Sequence, residues 1–117
     1  MEEDDRNFSI NFMSYNSTGL NSVKSDWIQD LLVYCDIHLA QLQEHFMKDK
    51  NIEVYFRDNF KNYDSYLIPA YRNPDQDNGR ARGGLAQLSS NKIGIRKERI
   101  STNSWRLQAQ VLHFGNC

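Results

Sequence analysis

Proline and glycine are scarce in this sequence, with two and six residues respectively among 117. That excludes collagen-like and Pro/Gly-rich low-complexity chains. Cysteine is as rare: Cys35 and Cys117 stand alone, without the spacing of a zinc site or a disulfide framework. The expectation is two free thiols in a reducing compartment. Long apolar runs are missing, and nothing approaches the roughly 20 residues of a membrane-spanning helix. The first residues, Glu2, Glu3, Asp4 and Asp5, are acidic where a secretory signal would be basic. No signal peptide, no membrane anchor and an intracellular location, nuclear or cytoplasmic, are therefore expected.

What is present suits one globular domain: 39% of residues are hydrophobic and 25% charged. A chain of this size buries roughly two thirds of its unfolded surface, enough for one sheet and a few helices. Residues 1–7 read as an acidic flexible N-terminus and 8–117 as the domain. The net charge of −1 conceals an asymmetry, since between Arg72 and Arg106 eight basic residues face three acidic ones, an excess of +5. Such a stretch suits a polyanion, or equally a solvated mixed-charge surface.

Phe8, Ile10 and Phe12 alternate with Ser9 and Asn11, predicting a half-buried strand that continues through Met13 and Tyr15 and stops at Asn16. The turn-forming "NSTGLN" follows. Trp27, Ile28, Leu31, Leu32 and Cys35 mark one face of a helix over 23–34, with Ser22 or Ser25 available as its cap. A second strand over 36–43, "DIHLAQLQ", lacks alternation and reads as buried on both faces. Strand, helix and strand in this order imply a right-handed crossover that sets the two strands parallel. A short helix near 51–60 comes next, then strands at 63–72, in "GGLAQLSS", at 93–100 and from Trp105 through Val111, with a loop over 73–82.

Parallel strands of open α/β sheets place ligands outside their carboxyl ends. If the first two strands are neighbours, Asn16 and Glu44 meet there. A carboxylate beside a carboxamide suits Mg²⁺, which takes one or two protein carboxylates and keeps waters and substrate phosphate for its other positions. The bland alternatives are an ordinary turn asparagine and a solvated or Lys/Arg-paired glutamate. The histidines form no site by spacing: a straight strand would turn His38 and His45 to opposite faces.

"SINFMSYNSTGLN", the helix with Trp27 and Ile28, "DIHLAQLQEH" and "GRARGGLAQLSS" follow one another as in the amino-terminal half of the endonuclease/exonuclease/phosphatase superfamily. The chain resembles most closely the apurinic-like endonuclease domain of non-LTR retrotransposons, over about residues 8 to 114. The resemblance implies an α/β fold: the amino-terminal half of a two-sheet α/β sandwich of the deoxyribonuclease I-like type, with a mixed sheet and flanking helices, incomplete at its C-terminal side. It implies Asn16 as phosphate orienter and metal-associated catalytic residue, Glu44 as the catalytic metal-binding carboxylate and Gln43 as its hydrogen-bonding buttress. Mg²⁺ or Mn²⁺ would be the cofactor, and Arg80 and Arg82 would contact the DNA backbone. Thr18 stands where the family has a second Asn, and Gly83 and Gly84 match a Gly-Gly lead-in to a strand.

The function implied is metal-dependent nicking of DNA for retrotransposition, with a downstream reverse transcriptase domain as partner. In that family the remaining catalytic groups, among them an Asp-His pair, come from the second half of the domain, so the 117 residues are expected to be inactive alone. An isolated half is also expected to leave an apolar sheet face bare, with marginal stability. Two alternatives stay open: a phosphatase or phosphodiesterase of the same superfamily, and a non-catalytic nucleic-acid-binding remnant.

Overall fold

The computed structural model describes residues 9–48, 51–71, 81–92, 94–102 and 108–114. The acidic segment 1–7, Arg80 and most of the 73–82 loop, Trp105, Leu107 and residues 115–117 lie outside them. In chain order the elements are β1 (Phe12–Asn16), α1 (Ser22–Tyr34), β2 (Leu39–Gln43), α2 (Ile52–Asn59), β3 (Tyr63–Ile68), β4 (Leu85–Ser90), β5 (Ile95–Ile100) and β6 (Ala109–Phe114).

β1, β2, β4 and β3 form one sheet in that order, and β5 pairs with β6 in a separate antiparallel ribbon. The crossover through α1 sets β1 and β2 parallel, in register from Phe12 opposite Leu39 to Asn16 opposite Gln43. β4 runs antiparallel to both β2 and β3. The described residues thus form an α/β fold with a mixed four-stranded sheet and two helices.

Both helices cover the same sheet face. Ile28 and Leu32 of α1, and Phe56 of α2 with the adjoining Phe60, are fully buried against Ala40, Leu42, Ala86 and Leu88, with Met13, Tyr15 and Leu67 packed at the margin. Removing each large side chain from water contributes roughly 1.5–3 kcal/mol. The Phe56 and Phe60 ring centroids lie 5.4 Å apart. This core holds the strand ends still where the site forms.

Several expectations change at the level of faces. β1 begins only at Phe12, and it is Met13 and Tyr15 that point into the core, while Phe12 is 58% exposed on the opposite face. Phe12 therefore lies on the side opposite to the one expected, because pairing with Leu39 decides which face it takes, and Phe8 lies outside the described residues. Asn21, rather than Ser22 or Ser25, caps α1, its Oδ1 accepting from the Lys24 backbone N–H at 2.8 Å. Trp27 is half exposed and Cys35 is an exposed free thiol, so the buried stripe runs through Ser25, Ile28 and Leu32. β2 buries Ala40 and Leu42 fully and its other face only in part.

That second face is mixed: Ser14, Gln41, Gln43, Gln87 and Ser89 share it with Phe12, Leu39 and Leu85, since paired residues share a face. The β5–β6 ribbon lies over its β3 side through polar contacts. Lys97 Nζ reaches Asp64 at 2.6 Å, Arg99 donates to the Ser65 carbonyl at 2.9 Å, and Gln108 Nε2 donates to the Tyr66 carbonyl at 2.6 Å.

Candidate functional site

β1 and β2 end together, and their continuations stay bonded instead of parting. Ser17 N–H donates to the Gln43 carbonyl at 2.8 Å, Gly19 N–H to Glu44 at 2.7 Å, and Leu20 N–H to His45 at 3.1 Å. On its other side the same segment is held by the approach to β4: Glu44 N–H donates to Gly84 at 2.8 Å and Phe46 N–H to Gly83 at 2.9 Å. Glu44 is thereby fixed by its own backbone from two directions, and Ser17 Oγ adds a bond to its carbonyl at 3.0 Å.

Such close weaving requires unusual backbone. Thr18, Gly19, Glu44, Phe46, Gly83 and Gly84 all have positive φ, at 46°, 91°, 58°, 63°, 80° and 96°. For the three non-glycine residues the left-handed region costs roughly 1–2 kcal/mol each, most conspicuously for β-branched Thr18. Strain concentrated at one rim of a sheet is a recurring mark of functional sites.

The two side chains singled out from the sequence meet here. Asn16 Nδ2 donates to Glu44 Oε2 at 3.0 Å. Asn16 Oδ1 accepts from both the N–H and the hydroxyl of Thr18, at 3.0 and 3.1 Å. These partners fix the carboxamide's orientation, because a flip would set its NH₂ against the Thr18 N–H and its oxygen against the carboxylate. Asn16 accordingly serves Glu44 as a donor, with its own oxygen already engaged. Glu44 is half-buried, and among the described residues no Lys or Arg forms an ion pair with it.

Gln43 is placed differently from the buttressing role: its Nε2 donates to Ser14 Oγ at 3.0 Å. Gln43 is still in the strand and pairs across to Asn16, whereas Glu44 has turned out of it in the left-handed conformation, so the neighbouring side chains diverge. Arg82 is exposed and lines the same cleft, a space of about 430 Å³ bounded also by Asn16, Gln43, Glu44, Phe46, Gly83 and Gly84. Arg80 lies outside the described residues.

His45, which spacing alone did not single out, is the buried support of this rim. It is fully buried, its Nδ1 accepts from the Met47 N–H at 3.0 Å, and its Nε2, 3.0 Å from the Ile68 carbonyl, is thereby the donor. Burial holds its pKa below 6.5, outweighing the opposing pull of the Ile68 and Leu85 backbone, and the imidazole stays neutral. The ring lies where a Gly84 side chain would be: a Cβ there would fall 2.3 Å from Cε1. The Gly-Gly pair was the only hint of it in the sequence.

Among the described residues no three His, Cys, Asp or Glu side chains converge as a metal cage. A cation here would take one carboxylate oxygen from this chain, a sparse donor set compatible with Mg²⁺ and its retained waters. The cleft can thus hold a hard cation on Glu44 and present the second Asn16 amide hydrogen and Arg82 to an anion. No family model, no curated protein and no solved structure matches this chain.

Proposed function

We propose that this chain carries the metal-holding half of a divalent-metal-dependent DNA endonuclease site, built on one half of a two-sheet sandwich of the deoxyribonuclease I type. The observation that carries the reading is the 3.0 Å contact between Asn16 Nδ2 and Glu44 Oε2 at the ends of two parallel neighbours. Glu44 keeps an oxygen for Mg²⁺ or Mn²⁺. Asn16 steadies that carboxylate through one amide hydrogen and turns the other to a phosphate oxygen. A divalent ion held on Glu44 would supply charge neutralisation and polarisation of a phosphodiester. Arg82 supplies positive charge for the nucleic-acid backbone, a contact that positions without reading sequence.

Hydrolysis also needs a general base and support for the leaving oxygen. Among the described residues, those lining the cleft include no second carboxylate and no imidazole. In this reading those groups come from another polypeptide segment, and the 117 residues alone do not nick DNA. Binding nucleic acid through Arg and Lys alone is less favoured, because Lys97 and Arg99 of the basic stretch are already engaged by Asp64 and Ser65.

The test is a Mn²⁺ titration of the chain, followed by paramagnetic broadening of the Asn16 side-chain amide signal. Glu44→Gln is expected to weaken binding by about tenfold or more, the low end of what loss of even a supporting group costs. Equal affinity in wild type and variant rejects Glu44 as a ligand. DNA binding that falls steeply with salt and ignores Mn²⁺ would favour the basic-surface reading instead.

A further inference from the structure

The loop between β1 and α1 is wrapped around an ammonium group. Lys24 sits in the first turn of α1, half-buried, and its Nζ donates to the carbonyls of Ser17 at 2.8 Å, Gly19 at 3.0 Å and Thr18 at 3.3 Å. Three consecutive carbonyls thus take the three protons that an ammonium offers. The N–H groups of the same residues point away from it, two to the carbonyls of Gln43 and Glu44 and that of Thr18 to Asn16 Oδ1. Carbonyl dipoles converging on one point repel each other unless a cation lies at the focus.

Nothing in helix stability asks for a lysine at this place. A cation in the first turn opposes the helix dipole, and α1 has no acidic residue there to offset it. What the ammonium holds is the turn in which Thr18 takes φ 46°. That conformation brings both the N–H and the hydroxyl of Thr18 onto Asn16 Oδ1, which leaves Nδ2 facing Glu44.

We infer that Lys24 is a positioning residue of the metal site: its ammonium holds the 17–19 loop in the strained turn that aims Asn16 at Glu44. The inference rests on the proposed function above. Lys24 bonds to neither side chain itself and acts only through the loop carbonyls.

Lys24→Met keeps the length and apolar stem and removes the donors, while Lys24→Arg keeps a cation. The Mn²⁺ titration is run on both beside wild type and Glu44→Gln, with the Asn16 side-chain amide signals recorded in the absence of metal. Lys24→Met is expected to shift those signals and to lower Mn²⁺ affinity by about tenfold, the scale of loss of an outer-shell partner, with Lys24→Arg recovering most of it. Lys24→Met with wild-type affinity and unmoved Asn16 signals overturns the inference. If Glu44→Gln binds Mn²⁺ as wild type does, the metal reading fails, and the metal-free Asn16 signals still judge Lys24. Should Lys24→Met not fold, wild-type NMR decides. A slowly exchanging Lys24 ammonium coupled across hydrogen bonds to the Ser17, Thr18 and Gly19 carbonyl carbons supports the role, and a freely exchanging one overturns it.

Discussion

His45 joins three segments with one imidazole: it takes the Met47 N–H, gives its own to the Ile68 carbonyl, and fills the space beside Gly84. A second ring proton would confront the Met47 N–H with another donor in a site without water's compensation. Folded His45 therefore has a pKa below 6.5, and as pH falls the unfolded chain takes the proton first. The sign follows: stability is level above the unfolded value near 6.5 and declines as pH drops towards the lower folded value. Urea unfolding at pH 7.5 and at about pH 5.5 should show a lower midpoint in acid. His45→Gln should be less stable at neutral pH yet lose that slope; an unchanged slope in the variant would place the titration elsewhere. The same residue explains why the Glu44 rim needs Gly84, since any side chain there meets both the ring and a φ of 96°.

At the scale of elements, α1 begins where Asn21 takes extended backbone and its side chain accepts the Lys24 N–H. Asn21→Ala removes that cap and is expected to cost about 1 kcal/mol, measured by denaturant unfolding; a loss near zero would mean that water caps the turn as well. Ser22→Ala, at one of the two positions the sequence offered as cap, should cost much less. Periodicity was enough to find this helix, because it buries a recurring stripe, whereas β2 showed as an apolar run without alternation. Caps and faces were harder to read. "LNSVKS" offers three residues able to cap, and only the path of the preceding loop chooses Asn21. Likewise Phe12 and Met13 are both apolar, and the pairing of β1 with β2 decides which of them is buried.

Taken whole, the molecule has a firmly packed part and a loosely seated one. The helices and the four-stranded sheet enclose fully buried Ile28, Leu32, Phe56 and Phe60. The β5–β6 ribbon is attached mainly by polar contacts, over a gap of about 210 Å³ lined by Phe12, Leu39, Gln41, Gln87, Gln110 and Leu112. Among the described residues, buried oxygens of Gln87, Ser89 and Gln110 find no hydrogen-bond partner, each costing roughly 1–3 kcal/mol if left unpaired. Native-state hydrogen exchange should therefore run faster in β5 and β6 than at Ala40, Leu42, Ala86 and Leu88, the ribbon opening without the sheet. Equal protection across both would show a single cooperative unit.

The order of elements, the parallel pairing through a crossover helix and the meeting of residues 16 and 44 at one rim follow from local patterns. Burial periodicity and connection handedness act over a few residues at a time and remain visible in the chain. The sheet's two faces, the neutral buried His45, the diversion of Gln43 to Ser14 and the seating of Lys24 among three carbonyls were settled only in three dimensions. Each depends on partners more than a few residues apart, on strand register or on a left-handed turn, and no single stretch of sequence carries that information.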